Sequence, residues 1–408
     1  MKRCWLHIGM HKTGSTTLQA SLASVENPAC WRYITIGSSS NMGSAMSAMF
    51  ATNPHENYWL MKRGHTAEEV AVRGLNMRSK LAKLIENSIE ENLIISGEAL
   101  CAIDKDGISA IHDFLKPLCD EIRVIGYVRA PLEFKISFFQ QRLKYRKVEF
   151  RLKNLRLKYR ERFKKFDEVF GQDNVLLRKF DPASFTDNCI VSDFCEQIGI
   201  QAPARSSVIR LNESLCREAC GLLYAFRKFG PAMETGSDVI KINKLMLAPL
   251  LAMRGTKFKV SRALLISSLA KETKDLKWME SRLGSPLMID HADSGVEVTD
   301  EVGSEGDLLR IEHYGCVDFA TRFKECYGII IPDQIIPSGS PVEPHLVAEF
   351  MEYCQVKCRE LSQQRQKSKA LAGARRNGLC GLVPKCWRYF KNCFRHRLDS
   401  RRPNKKIG

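Results

Sequence analysis

Short apolar runs bounded by loops punctuate the first two hundred residues, and stretches of helical spacing lie between them. Residues 4–9 (Cys-Trp-Leu-His-Ile-Gly) predict a buried strand. A loop of Gly, Thr and Ser follows and opens a helix with Leu18 and Leu22 on one face. Leu81, Leu84, Ile85 and Ile89 share helical spacing and predict a helix over 79–90. Further strands are expected at 92–96, 122–128 and 175–180, and residues 113–118 read as the end of another helix. The run at 122–128 is nearly all apolar, as strands covered on both faces tend to be, and Pro131 then suits a first helical turn. Ile190, Phe194 and Ile198 mark a helix over 187–197 that Gly199 stops.

Strand and helix alternate, so the expected fold class is α/β: an open, mostly parallel sheet with flanking helices and a mainly helical C-terminal part. No internal repeat is evident. The expected organisation is an α/β core over 1–210, a mainly helical completion of the same domain over 211–363, and a basic tail over 364–408. An acidic stretch with Gly and Ser at 290–307 reads as a surface loop.

Charge changes the picture more than bulk composition does. The 408 residues carry a formal net charge of +17. Residues 142–165 hold twelve Lys and Arg against Glu149 and Glu161, and the tail holds fourteen against Asp399 alone. The excess is therefore local and points to surfaces that meet polyanions or acidic membranes. Read as one helix, 142–165 would span about 36 Å, with Val148, Leu152, Leu155, Tyr159, Phe163 and Phe166 along one stripe. In the tail, Cys386-Trp387-Arg388-Tyr389-Phe390-Lys391 interleaves aromatics with cations, as membrane-surface segments do.

The fifteen cysteines are scattered and contain no CxxC pair. Cys216/Cys220 and Cys354/Cys358 are spaced four apart, which on a helix favours packing over metal binding. Reduced thiols and a cytoplasmic location are expected. No run approaches the ~20 apolar residues of a membrane span. The expected first strand follows Met1-Lys2-Arg3 directly, so no signal peptide is expected.

The strongest chemical signal is Gly9-Met10-His11-Lys12-Thr13-Gly14-Ser15-Thr16-Thr17. A strand feeding a loop of small residues into a helix converges backbone N–H groups and the positive helix end on one point, an arrangement that binds phosphate-like anions. Gly9 and Gly14 have the spacing of an ATP-binding P-loop, but Ser15 stands where that loop has its lysine. The lysine sits inside the loop, at Lys12. That position is wrong for Mg²⁺-assisted ATP hydrolysis. It suits a phosphosulfate handled without a metal, because the ammonium can cover the bridging oxygen as charge develops there.

Residue by residue this loop resembles that of the sulfotransferase family, especially its bacterial and glycan-directed branches. The resemblance implies a P-loop-like sulfotransferase fold and 3′-phosphoadenosine 5′-phosphosulfate (PAPS) as co-substrate, with no metal. It implies that Lys12 contacts the leaving phosphate, while Thr13, Gly14, Ser15, Thr16 and Thr17 supply backbone and hydroxyl hydrogen bonds. A second motif has the family's spacing: Arg129 ends the strand over 122–128 and Ser137 follows eight residues later on the next helix. There the resemblance implies a 3′-phosphate site, which an Arg and a hydroxyl can build from charge-assisted hydrogen bonds. Ser96-Gly97-Glu98 closes the strand over 92–96, where parallel sheets carry active-site groups. Glycan-directed members place a glutamate about here as general base. Glu98 is the expected base and His11 its rival.

The resemblance covers residues 1 to about 200 and continues weakly through Leu211-Asn212-Glu213-Ser214. An Arg-Lys-Gly loop, found in the small-molecule branch, has no counterpart, which weighs against a phenol or steroid acceptor. The expected acceptor is an anionic glycan or glycolipid. The basic segments also allow peripheral contact with the acidic inner membrane surface, and no specific nucleic-acid partner is expected. Two rival readings stay open: a P-loop kinase of nucleotides or small molecules, and a non-enzymatic protein that binds polyanions or membranes.

Overall fold

The computed structural model describes residues 1–10, 13–26, 30–56, 65–209, 214–232, 236–288 and 301–376, with side chains as far as Ser368. His11 and Lys12 lie outside the described residues, as do Leu211, Asn212, Glu213, most of the acidic stretch at 290–307 and the tail beyond 376.

The described residues form an α/β fold on one five-stranded sheet. Its strands are β1 (Arg3–Gly9), β2 (Trp31–Tyr33), β3 (Asn92–Gly97), β4 (Glu121–Val128) and β5 (Val175–Lys179), in the order β2-β3-β1-β4-β5. Every pairing is parallel. β1 is the central strand. Its alternation sends Cys4, Leu6 and Ile8 into one apolar layer, and Trp5 into the other. On the Trp5 side, Leu18 and Leu22 of α1 (Ser15–Ala23) meet Ile190, Val191 and Phe194 of α7 (Ile190–Gln197). The opposite layer is filled by α2 (Gly43–Phe50), α3 (Ala67–Glu86), α4 (Lys105–Leu115) and α6 (Tyr159–Phe170).

A third cluster lies beyond the sheet. The second half of α5 (Pro131–Tyr145) contributes Phe139 and Leu143. These pack with α8 (Arg217–Phe229), α9 (Ser237–Ala252), α10 (Arg262–Ser267), α12 (Glu305–Leu309), α13 (His313–Tyr327) and α14 (Pro344–Arg376). α11 (Thr273–Leu283) returns to the sheet layer through Met279. Cys354 and Cys358 are both fully buried in the helical cluster. Among the described residues no helix is long and apolar enough to cross a membrane.

Four differences from the sequence expectations have physical causes. Residues 142–165 are not one helix. α5 stops because Arg227, itself buried, donates to the Leu143 and Lys144 carbonyls, and Asn243 also donates to the latter. Arg146 is then extended (φ −156°, ψ 165°). The following loop is held by Lys135, whose fully buried ammonium donates to the carbonyls of Leu152, Leu155 and Ser268. The apolar stripe is real, since Leu152, Leu155, Tyr159 and Phe163 are all buried, but a pinned loop buries half of it.

α3 starts twelve residues earlier than expected, at a capping box between Thr66 and Glu69. It ends at Glu86, where Lys2 takes the Ile85 and Glu86 carbonyls. Ile89 is consequently 95% exposed rather than part of a helical face. The short edge strand β2 was not expected at all. The basic tail, expected from 364, starts later in the fold: α14 carries residues 364–376, and Gln366 donates to Asp238 at 3.1 Å.

Candidate functional site

The register of the central strands brings the three signal-bearing loops together. Ile8 pairs with Gly97 and Gly9 with Tyr127, so β3, β1 and β4 end side by side. Thr13–Thr17, Glu98 and Arg129 therefore leave one edge of the sheet, the carboxyl edge where parallel sheets hold ligands.

The loop after β1 folds back on its own strand. The Thr13 hydroxyl donates to the Met10 carbonyl at 2.9 Å and lies 3.4 Å from the Ser15 hydroxyl. A Cβ at Gly9 would sit 2.6 Å from Ser15 Oγ, so a side chain there would displace the serine. Gly14 has φ 72°, in the left-handed region that glycine tolerates, and a Cβ would meet Ile190 at 3.3 Å. The ladder of α1 opens with the Leu18 N–H to the Gly14 carbonyl at 3.0 Å. The amides before it form the positive end of the helix. Thr13 and Ser15 are buried, whereas Thr16 and Thr17 are partly exposed.

On the β4 side, Arg129 is half-buried. Burial lowers its affinity for the proton, and Glu133 partly offsets this. Its guanidinium carbon lies 5.6 Å from the centre of the Phe180 ring, and its carbonyl accepts from the Tyr159 hydroxyl at 2.6 Å. Phe180 also borders the loop after β1, since a Cβ at Gly14 would lie 3.5 Å from its ring edge. Ser137 is half-buried in the second turn of α5, about 9 Å along the helix from its start.

On the β3 side, Glu98 opens a 3₁₀ turn (Glu98–Ala102) and is half-buried. Lys165 of α6 underpins that turn by donating to the Cys101 carbonyl at 2.8 Å and to the Ile103 carbonyl. The Cys101 thiol is pushed up to about 11 by burial, which outweighs the opposing fields of Arg162 and Lys165. Just before the turn, a Cβ at Gly97 would meet the backbone of Gly43 at 2.8 Å. The Met42 N–H donates to the Ser96 carbonyl at 2.8 Å, which fixes the start of α2 against this strand end.

Beneath the loops that follow β1 and β3 lies a polar group that motif spacing did not reveal. The Ser96 hydroxyl sits 2.7 Å from His7 Nδ1 and accepts from Gln19 Nε2 at 3.0 Å. It thus joins β3, β1 and α1. The visible signal was a histidine and a serine inside otherwise apolar strands. Phe180 and Lys165 were likewise missed, because their partners lie far away in sequence.

Much of the charge at 142–165 is spent within the fold. Lys144 is buried, Arg156 pairs with buried Glu272 at 2.6 Å, and Lys164 pairs with Glu168 at 2.6 Å. Lys158 pairs with Glu161 at 2.9 Å. Among the described residues no cluster of metal-ligating side chains occurs.

No protein-family model and no curated protein matches the chain. Among solved structures, it is similar to the sulfotransferase domain from the Synechococcus PCC 7002 olefin synthase, with 16% identity and a TM-score of 0.29 over 50% of this chain and 74% of that one. It is similar to the sulfotransferase domain from the curacin biosynthetic pathway, with 12% identity and a TM-score of 0.30 over 49% and 75%. The sulfotransferase from Alicyclobacillus acidocaldarius aligns with 13% identity and a TM-score of 0.31 over 55% of this chain and 92% of that one.

Proposed function

We propose that this chain transfers the sulfuryl group of PAPS to an acceptor hydroxyl carried by a glycan or glycolipid. The observation that carries this reading is the shared neighbour of two anion-binding features. The Phe180 ring edge lies 3.5 Å from where a Gly14 Cβ would stand at the start of α1, and its centre lies 5.6 Å from the guanidinium carbon of Arg129 at the end of β4. A nucleotide with phosphates at both its 5′ and 3′ positions needs two such features side by side, and ATP does not.

In this reading the 5′-phosphosulfate lies against the start of α1, where backbone amides and the Thr16 and Thr17 hydroxyls offer donors. Arg129 and Ser137 take the 3′-phosphate. The acceptor oxygen attacks sulfur from the side opposite the bridging oxygen. One S–O bond forms, the S–O bond to the phosphate breaks, and adenosine 3′,5′-bisphosphate leaves. Lys12 would balance the charge on the leaving phosphate, and the Glu98 carboxylate takes the acceptor proton. His11 is the alternative base.

Calorimetry tests the reading directly. Adenosine 3′,5′-bisphosphate is expected to bind more tightly than adenosine 5′-monophosphate, and Arg129→Ala to remove most of the difference. A charge-assisted hydrogen bond contributes about 1.5–3 kcal/mol, or roughly 10- to 150-fold in affinity. Equal affinities in the wild type would overturn the proposal, and tight magnesium-dependent ATP binding would favour a kinase instead. Incubation with labelled PAPS and a panel of glycans and lipid extracts would then identify the acceptor.

A further inference from the structure

We infer that Phe180 is a positioning residue that sets the gap between the two anion sites, and so selects ligands carrying two phosphates. This rests on the nucleotide reading above. Phe180 follows β5, and its N–H donates to the carbonyl of Val128 at 2.7 Å. Its backbone is thereby tied to the residue immediately before Arg129. Its ring packs edge-on to Phe185 at 5.4 Å, and Phe185 packs edge-on to Tyr127 at 5.6 Å. The Tyr127 hydroxyl donates to Asp193 at 2.6 Å, and Arg178 holds the other oxygen of that carboxylate at 2.8 Å. The ring is thus the free end of a braced aromatic row rooted in β4 and α7.

That row reaches both anion sites. A Cβ at Gly14 would meet the edge of the Phe180 ring at 3.5 Å, with Ile190 beside it at 3.3 Å. The ring also lies within reach of the Arg129 guanidinium. A long, flexible arginine at a strand end samples many rotamers, and an aromatic ring beside it favours a few of them by attraction between the cation and the ring quadrupole. The ring itself takes none of the guanidinium donors, because the attraction runs through its face. Phe180 itself touches no reacting atom. Its effect should appear where both phosphates must be satisfied at once.

The test compares the ratio of affinities for adenosine 3′,5′-bisphosphate and adenosine 5′-monophosphate across variants of the full chain. Phe180→Leu keeps an apolar side chain against Gly14 and Phe185 but removes the ring. The ratio is expected to fall roughly three- to thirty-fold, because affinity for the bisphosphate drops more than affinity for the monophosphate. Phe180→Tyr is expected to restore it. A general packing defect would instead weaken both nucleotides together. An unchanged ratio in Phe180→Leu overturns the role of Phe180 while leaving the nucleotide reading intact.

Equal affinities in the wild type overturn the nucleotide reading instead. A second measurement then judges Phe180 alone: the Arg129 side-chain proton signals, assigned by their loss in Arg129→Lys. An upfield ring-current shift that disappears in Phe180→Leu supports the contact, and unshifted signals overturn it. The same spectrum of the wild type decides the matter if Phe180→Leu fails to fold.

Discussion

His7 and Ser96 face each other across the central strand pair, with Nδ1 of the imidazole 2.7 Å from the hydroxyl, on the side of the sheet where Phe194 and Tyr127 pack. The imidazole is fully buried and edge-on to Phe194 at 5.5 Å. Burial pulls its pKa from 6.5 down to about 3, so it is neutral in the folded protein at ordinary pH.

That depression makes stability depend on acidity. Below pH 6.5 the unfolded chain binds a proton at His7 that the folded chain refuses until about pH 3. Stability is therefore lost as pH falls through this window, by up to about 1.4 kcal/mol per pH unit from this group. Urea unfolding at pH 7.5, 6.0 and 5.0 should show the decline above the range where carboxylates titrate. His7→Gln should flatten the slope. An equal slope in the variant would show that another group is responsible.

Gly97 has no room for a side chain, because the Gly43 backbone lies 2.8 Å from where its Cβ would be. Gly97→Ala is expected to push α2 away from the strand end and cost about 1–3 kcal/mol, the usual range for overpacking. The same displacement moves the turn that carries Glu98, so turnover should fall further than nucleotide affinity. A variant that melts with the wild type would contradict the geometry.

Under the proposed chemistry, loss of Glu98 and loss of Lys12 have different signatures. Glu98→Gln keeps shape and volume, so nucleotide affinity should be preserved while turnover drops by about 10²- to 10⁴-fold. Lys12→Ala should damage both. Near-normal turnover in Glu98→Gln would transfer the role of base to His11.

The tail beyond α14 can be tested only with a cut that respects the helix. Removing residues 377–408 keeps the Gln366–Asp238 bond and the packing of Arg365 over Tyr327 at 5.9 Å. Melting temperature and nucleotide affinity should be unaffected. Co-sedimentation with phosphatidylserine vesicles should weaken, and added salt should weaken it in the full chain too. Unchanged pelleting of the truncated chain would exclude the tail as a membrane contact.

Local pattern revealed most of the sheet because its interior strands are nearly continuous apolar runs, as in 122–128. It missed β2, where three residues, Trp31-Arg32-Tyr33, are too few to show a period. It overextended 142–165 because buried positions three or four apart also arise in a loop, given a buried donor such as Lys135 to pin it. The loop at 9–17, Glu98 and Arg129 could be read from spacing, since each is local to a strand end. The Ser96 hub and the Phe180 row could not be read this way. Each joins residues from three or more separate segments, and no window along the chain contains them.

β1 precedes both of its neighbours in the chain, and this order bears on how the protein is made. The strand cannot be flanked on both sides until β3 and then β4 have emerged from the ribosome, more than a hundred residues later. At about 5–20 residues per second, the wait between Gly9 and Val128 is roughly 6–24 s. Leu6 and Ile8 lack their β4 neighbours, Val124 and Gly126, for most of that time, long enough for a chaperone to engage this side of β1. Gly9 gains its β4 neighbour, Tyr127, only at the end of the wait.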